Sequence, residues 1–259
     1  MQAKFHQRSV DLLRRKINSR GTSFLDAWGA NHGIVVPPSF SEFYAFRELT
    51  DILQRDGGDR LYAVSDYQVS NREGYAVLVF MEENQAVYQW GVTLNGQPNP
   101  LVMVKVRDDP STKWLPCAES FSTFIYTIVF DNQHCISQSQ TYGKTWIAEQ
   151  FQPLGNEDIE FLKSRFDEEP KTFGLPTPVT NRFSSGWAKR IMVYNHSRDD
   201  REFRNSAARA KTVEEIEKLA ESRISGKYFQ SCWVLSAASE EDLEDLKRLL
   251  QPRWKFPDA

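Results

Sequence analysis

Two adjacent glutamates, Glu82 and Glu83, are the side chains whose type and spacing come nearest to acid–base chemistry. A pair of carboxylates can serve as general acid and base when burial raises the pKa of one of them. Neighbouring residues of an extended chain point to opposite sides, so these two do not face each other across a substrate. Two other interpretations are therefore favoured over catalysis. In one, Asn84 and Gln85 fasten a turn through side-chain hydrogen bonds; in the other, Glu82, Glu83, Asn84 and Gln85 form a surface that contacts a partner.

The other chemical motifs in the sequence are incomplete. A zinc site needs two ligand pairs at close spacing, and Cys117, His134 and Cys135 lack a second pair. Gly143-Lys144-Thr145 ends like a phosphate-binding loop, but Gln138 stands where the first glycine is needed. The sequence has no Gly-x-Ser-x-Gly elbow, although a cysteine–histidine pair that meets only in the folded chain stays open. We therefore expect no enzyme, no catalytic residue, no metal and no cofactor.

The composition is that of a folded protein without a surplus of positive charge. Of its 259 residues, 40% are hydrophobic, 26% charged and 13% aromatic, which suits one large domain or two modest ones with a real core. The net charge of −3 argues against a nucleic-acid partner. Three widely spaced cysteines do not resemble a disulfide framework and favour a reducing cytoplasm. No apolar run is long enough to span a bilayer.

The first twenty residues are basic, with six lysines and arginines against the single acid Asp11. Val10, Leu13 and Ile17 follow the spacing of one apolar helix face, which favours a surface helix. An amphipathic targeting segment has the same basic composition, so that alternative stays open.

Apolar patterns predict the elements that would position these residues. A polar turn at residues 82–85 joins two β-prone runs into a hairpin, and two further runs indicate strands. The expected strands are residues 61–64, 75–81, 86–92 and 101–106. One helix is expected to start at a Ser39 cap and to include Phe46. A second covers residues 120–130, where five apolar side chains share one face and Ser120 is the cap.

The second half predicts strand, helix, strand and helix after a proline-rich connector. Three prolines and a glycine at 170–178 argue against regular structure there. Strands are expected at 187–195 and 228–236, and capping boxes at Thr212 and Ser239 predict the starts of the two helices.

The change of pattern near the middle suggests two domains. Residues 1–150 would form the first, and the polar stretch 131–143 lies within it. A short helix near 158–166 would open a C-terminal extension or second lobe of residues 155–259. These later elements could also continue the first sheet.

Six short motifs follow one another between residues 35 and 130. They are Val36-Pro37, Phe43-Tyr44, Glu83-Asn84-Gln85, Trp90-Gly91, Pro100-Leu101-Val102 and Ser120-Phe121. Their order and spacing resemble the SUKH superfamily, which groups bacterial toxin-immunity proteins with a yeast cell-wall regulator and herpesvirus proteins. The residues that mark this fold here are Pro37, Tyr44, Trp90, Gly91, Pro100 and Phe121. Asn99 stands where the family often has an acidic residue.

The resemblance implies an α+β fold with a central, mostly antiparallel sheet flanked by helices, to which the C-terminal strand–helix–strand–helix extension is added. It also implies a non-catalytic role in which the protein binds a toxin domain and neutralises it. We expect a cytoplasmic immunity protein with a protein partner, without nucleic acid or membrane, and its oligomeric state stays open. The alternative is an intracellular scaffold or regulatory adaptor without a toxin partner, which the added C-terminal residues favour.

Overall fold

The computed structural model describes residues 3–13, 17–55, 59–72, 74–107, 113–138, 144–150, 155–173, 179–186, 188–197, 207, 209–224 and 229–253. The chain forms two compact units, Met1–Asn132 with Lys211–Val213 and Gln133–Ala210 with Glu214–Ala259. Each unit has its own antiparallel sheet, and helices accompany both, so the expected α+β class is confirmed. We expected the first domain to reach residue 150, whereas the strand at 144–150 belongs to the second sheet because it pairs there with a later strand.

Helices lie before and after the first sheet. Those described up to residue 138 are α1 (Gln7–Leu13), α2 (Ser23–His32), α3 (Pro38–Ala45), α4 (Arg47–Arg55) and α5 (Phe121–Gln138). The start of α3 differs from the prediction, since Pro37 takes the cap position and Pro38 is the first helical residue. A proline is suited to that place because its missing N–H has no intrahelical partner to lose. Ser39 therefore lies inside the helix and is buried, and Phe46 follows the helix in an isolated β-bridge.

Helix α5 confirms the helix predicted from apolar spacing. The Thr123 N–H donates to Ser120 Oγ at 3.2 Å, which is the expected cap. Asn99 contributes a second contact, because the Ser122 N–H donates to its Oδ1 at 3.0 Å. The helix continues to Gln138, whereas it was predicted to end at residue 130. No glycine or proline interrupts this stretch before Gly143, so helix propagation meets no breaker.

The first sheet is antiparallel throughout its described pairs. Its strands are β1 (Arg60–Leu61), β2 (Gln68–Arg72), β3 (Tyr75–Glu82), β4 (Tyr88–Leu94), β5 (Val102–Val106) and β6 (Leu115–Ala118). The order is β1–β3–β4–β5–β6, and β2 pairs with β3 on the side that β4 leaves free. The strand expected at 61–64 is reduced to β1, since residues 64–66 form a 3-10 turn.

Glycine is required beside Trp90 by the close packing of the β3–β4 hairpin. Gly91 is opposite Val79, and a Cβ at this position would collide with the Val77 side chain and lie 2.9 Å from the Leu78 carbonyl oxygen. A side chain here would force the backbone apart, because both the side chain and the carbonyl belong to the packed strand. The Trp-Gly pair is thus explained by packing.

An aromatic cluster joins the helices to the first sheet. Phe40 of α3, Phe80 of β3 and Phe121 of α5 are fully buried, with ring centroids 5.0–5.6 Å apart. Their tilted and edge-to-face arrangement is the favourable one for aromatic rings. The cluster accounts for part of the high aromatic content, since large rings supply most of the buried area at this contact.

The N-terminal segment is held by α3. The backbone N–H groups of Lys4, Phe5 and His6 donate to the Glu42 carboxylate at 2.8–2.9 Å. His6 is fully buried, and its Nε2 lies 2.8 Å from the Ser39 carbonyl oxygen. Burial lowers the pKa of the His6 ring below its ordinary value, so the ring is neutral at neutral pH.

The second unit contains a five-stranded antiparallel sheet in the order β7–β11–β10–β9–β8. Its strands are β7 (Lys144–Gln150), β8 (Asp167–Phe173), β9 (Val179–Ser185), β10 (Lys189–Ser197) and β11 (Phe229–Ala237). The remaining helices are α6 (Asn156–Lys163), α7 (Val213–Ile224) and α8 (Glu240–Leu250). The predicted strand–helix–strand–helix order is confirmed by β10, α7, β11 and α8. Ser239 caps α8 as expected, since its Oγ accepts from the Asp242 N–H at 3.2 Å.

One face of this sheet is covered by α6 and α8. The core formed there includes Leu162, Phe166, Phe183, Ile191, Val193, Trp233, Leu235, Ala237, Leu243, Leu246 and Leu250. Every one of these side chains is buried, and the strand residues among them alternate along the chain as one face of a sheet requires. The second unit therefore has a hydrophobic core of its own.

Residues 170–178 were predicted to lack regular structure, and this prediction is wrong for residues 170–173, which belong to strand β8. Pro170 lies within β8, which is the edge strand of the second sheet. An edge strand tolerates proline because one side of its backbone needs no partner, and the register of β8 shifts between Glu169 and Thr172. The Pro170 carbonyl accepts from buried Arg182 at 3.3 Å. Residues 174–178 lie outside the described part of the chain.

Candidate functional site

Glu82 was expected to lie in the turn, but it is the last residue of strand β3. It is paired with Arg60 of β1 and Gln89 of β4, and only 4% of its surface is exposed. The Tyr62 hydroxyl donates to Glu82 Oε2 at 2.7 Å, and Arg107 Nη1 lies 2.6 Å from the same oxygen. The Arg60 guanidinium forms an ion pair with Oε1. Both carboxylate oxygens are therefore bound within the chain.

These five residues, Glu82, Arg60, Tyr62, Gln89 and Arg107, form what we call the Glu82 network. Gln89 Nε2 donates to the Tyr62 hydroxyl at 2.9 Å, which orients that hydroxyl toward Glu82. Burial raises the pKa of Tyr62 above its ordinary value, and the hydrogen bond to Glu82 acts in the same direction. The phenol thus stays protonated as the donor. Because its carboxylate is ion-paired and hydrogen-bonded, Glu82 is better suited to holding strands together than to exchanging a proton.

The hairpin turn, residues 83–87, follows directly on the Glu82 network. The Glu83 N–H donates to the Tyr88 carbonyl at 2.9 Å, and the Ala86 N–H donates to the Glu83 carbonyl at 2.8 Å. Glu83 Oε2 accepts from the Val87 N–H at 3.3 Å. Glu83 therefore fastens the turn through its side chain, a role that had been expected of Asn84 and Gln85.

The backbone of this turn is strained at one position. Ala86 has a φ of 60°, and it is the one residue other than glycine with a positive φ in the described part of the chain. The left-handed conformation costs an L-residue about 1–2 kcal/mol. Strain of this kind concentrates at functional sites, where the surrounding structure holds it in place.

The turn presents polar and apolar side chains to solvent. Asn84 and Gln85 are exposed, and Val87 is 40% exposed. We call residues 83–87 together with Asp59 the hairpin tip. Of the four expected partner-binding residues, the structure leaves Glu83, Asn84 and Gln85 in this turn and places Glu82 beneath it.

Asp59 adds a second acidic group to the hairpin tip. Burial raises its pKa to about 6, and the nearby charge of Glu83 acts in the same direction. The Asn84 backbone N–H opposes this shift by donating a hydrogen bond to the Asp59 carboxylate. Asp59 is only partly exposed, so the two carboxylates share an environment with less water than an open surface.

Replacing Asp59 with Asn should make the protein more stable at pH 7. A folded-state pKa of about 6 lies above the ordinary 3.8, so the protonated form of Asp59 stabilises the folded state. This stabilisation is fully present below about pH 4 and is lost as the pH rises through 6. The variant should gain about 1–2 kcal/mol at pH 7, less than the full shift implies because the group is partly solvated. Urea unfolding at several pH values gives the difference from wild type. A difference that is the same at pH 4 and pH 7 would contradict the shifted pKa.

Sequence reasoning missed most of the residues around the hairpin. Asp59, Tyr62, Gln89 and Arg107 meet Glu82 or Glu83 only because β1, β4 and the end of β5 are brought together in the sheet. The nearest signal was the run Asp59-Arg60-Leu61-Tyr62, in which two charged residues precede a leucine and a tyrosine. No local rule connects that run to a glutamate twenty residues later.

The fold-marking residues lie in the core of the first unit. Trp90 is 6% exposed, and its ring centroid is 6.4 Å from that of Phe124 on α5. Tyr44 accepts a hydrogen bond from Tyr67, and burial raises the pKa of Tyr44 to about 12. Pro37, Pro100 and Phe121 are buried as well. These side chains are placed to stabilise the fold.

The sequence offered further candidates for chemistry in a phosphate-binding loop and in cysteine and histidine residues. Lys144 and Thr145 begin strand β7, whereas a phosphate-binding loop requires a helix there. Cys117 is a buried cysteine in β6. The side chains of His134 and Cys135 lie outside the described part. Among the described residues, no group of three or more histidine, cysteine and acidic side chains could hold a metal ion.

No helix in the described ranges combines the length and the apolar character needed to cross a membrane.

Comparison with known proteins identifies no relative: no family model, no curated protein and no solved structure matches this chain. Membership of the SUKH superfamily therefore stays a prediction.

Proposed function

We propose that this chain is a non-catalytic protein-binding module, an immunity protein that binds and neutralises a toxin domain. The observation that carries the proposal is the hairpin tip, an exposed turn held in a strained conformation at Ala86 above the buried Glu82 network. Such a turn is pre-organised, so little conformational entropy is lost when a partner binds it. The resemblance to the SUKH superfamily supports the same function.

Charge gives the hairpin tip a preference among partners. The Glu82 carboxylate is neutralised by Arg60 and Arg107, which leaves Asp59 and Glu83 as the acidic groups of the tip. The chain as a whole carries a net charge of −3. A basic toxin domain, such as a nuclease, is complementary to this charge, and complementary charge speeds encounter and favours the correct partner. We place the encounter in the cytoplasm, where a protective protein would meet such a toxin.

The test is co-expression with the toxin domain encoded beside this chain. Wild-type protein should restore growth, and the double variant Asn84→Arg, Gln85→Arg should bind the toxin at least tenfold more weakly, since it places two positive charges on the tip. The matched control is Asn18→Arg, Asn31→Arg, which adds the same charge at exposed positions elsewhere. Failure to rescue growth from any adjacent toxin, together with pull-downs that recover no toxin, would refute the immunity function. Equal binding by both double variants would instead remove the tip from the interface.

A scaffold or regulatory adaptor is the second candidate, and the second unit favours it. That unit has its own sheet and its own buried core, and a compact immunity module does not need it. The genes next to this one separate the two hypotheses. A large secreted protein with a toxin-like C-terminal domain supports immunity, whereas a housekeeping operon supports the adaptor.

A further inference from the structure

Strand β2 presents an open edge on the first sheet. It is paired with β3 from Gln68 to Arg72, and β3 is its one partner among the described strands. Gln68 and Asn71 are exposed, and Val69 is 41% exposed, so the side chains along this edge are accessible to solvent. An open edge carries unpaired backbone N–H and C=O groups that can bind another extended chain.

Two other sheet edges, β6 and β8, are protected against such pairing. β6 is only four residues long and contains Pro116, and β8 contains Pro170, a register shift and three acidic residues. Proline, short length, irregular register and charge are the features that block edge-to-edge addition. β2 has five residues, no proline and a single charged residue, Arg72, at its end. The contrast with β6 and β8 marks β2 as an edge that is left available.

An apolar groove of about 360 Å³ adjoins this edge. Val35, Val69, Ala76 and Leu94 are among the residues that line it. Val35 is 87% exposed, which is unusual for a valine beside other apolar groups. The groove can therefore receive an apolar side chain without rearrangement of the core.

The edge and the groove meet at Val69. Asn71, Ala76 and Leu94 are consecutive partners across β2, β3 and β4, so they share one face of the sheet. Val69 lies on this face too, because it is two residues from Asn71 in the same strand. A strand added outside β2 would place the residue opposite Val69 on this face, directly beside the groove. Main-chain hydrogen bonds and a side-chain pocket are thus combined in one surface.

The size of this surface indicates its occupant. A stable dimer needs about 20–30 residues on each side. The five residues of β2 and the ten that line the groove, with Val69 belonging to both, are fewer than that. We propose that the β2 edge and its groove bind a short extended peptide segment of another protein, which adds to β2 as a strand and inserts an apolar side chain beside Val69. This mode of recognition is β-augmentation.

This surface lies at the end of β3 remote from the hairpin tip, because β2 pairs with residues 75–79 and the tip follows Glu82. The inference does not depend on the proposed immunity function. Its test contains no toxin, so either proposal can fail while the other stands.

The test uses phage-displayed random heptapeptides selected on the immobilised full-length protein. Selected peptides should have apolar residues at alternate positions and no central charge, and their synthetic forms should bind in fluorescence anisotropy. Val69→Lys and Val35→Asp should each weaken binding at least tenfold, whereas Ser65→Lys should change it less than twofold. All three positions are at least partly exposed, so the variants are expected to fold. Bound peptide should also slow amide hydrogen exchange in β2, and proline at the centre of the peptide should abolish binding.

Several results would overturn the proposal. Selection that yields no binding peptide would do so, as would peptides that bind the Val69→Lys variant as tightly as wild type. Binding without slower exchange in β2 would show a groove ligand that does not pair with the edge. Sedimentation of wild type as a dimer that Val69→Lys converts to monomer would show that a second copy of the chain occupies this edge.

Discussion

Replacing Trp90 with Ala should lower the free energy of unfolding by about 3–5 kcal/mol, the range measured when a buried large aromatic residue is truncated. Trp90 is 6% exposed, and its ring packs against Phe124, so the change removes a contact between β4 and α5. Urea unfolding of the purified full-length protein measures the loss.

The matched control is Val87→Ala on the same hairpin. Val87 is 40% exposed, so its truncation should change stability by less than about 0.5 kcal/mol. Under conditions where both variants are folded, Trp90→Ala should bind the partner as well as wild type does. A Trp90→Ala protein with unchanged stability and lost binding would show that Trp90 contacts the partner and does not act through the core.

Replacing Glu82 with Ala should lower the free energy of unfolding by about 3 kcal/mol, near the lower end of the range for a broken buried ion pair. The loss leaves the Tyr62 hydroxyl and the Arg107 guanidinium without their acceptor. It stays near the lower end because the Arg60 side chain is 68% exposed and is solvated by water when its partner is removed.

Two further variants separate the charge of Glu82 from its hydrogen bonds. Glu82→Gln retains an oxygen that can accept from Tyr62, so it should lose about half as much stability as the alanine variant. Glu83→Ala removes the neighbouring carboxylate, which accepts a hydrogen bond from the Val87 N–H in the turn. This variant should lower the free energy of unfolding by less than about 1 kcal/mol. If Glu82→Ala and Glu83→Ala unfold at the same urea concentration, the Glu82 network does not stabilise the fold.

Two binding surfaces at opposite ends of β3 would give the protein separate functions. The hairpin tip carries Asp59 and Glu83, and its proposed partner is a folded domain with a basic surface. The β2 edge is nearly uncharged and suits an extended segment. Variants of the tip and of the edge can therefore be tested independently, since they lie on different parts of one sheet and share no residue.

Local patterns in the sequence were sufficient to predict the main elements. The apolar spacing after Ser120 predicted α5, two β-prone runs around a polar turn predicted the hairpin, and the box at Ser239 predicted the start of α8. Each of these predictions rests on residues that are close to one another in the sequence. Interactions over that distance are decided by backbone geometry and by the periodicity of side chains, which the sequence displays directly.

Tertiary structure alone decided the roles of the individual residues. Glu82 looked like a turn residue until sheet pairing surrounded it with Arg60, Tyr62 and Arg107, which come from separate parts of the chain. Pro170 lies in a strand because β8 became an edge, and the pairing of β7 with β11 moved residues 144–150 into the second unit. Burial, ion pairing and strand order depend on residues distant in sequence, and no local pattern carries that information. The sequence by itself therefore determined which elements form, and the packing of those elements determined which side chains are buried and stabilise the protein and which are left exposed.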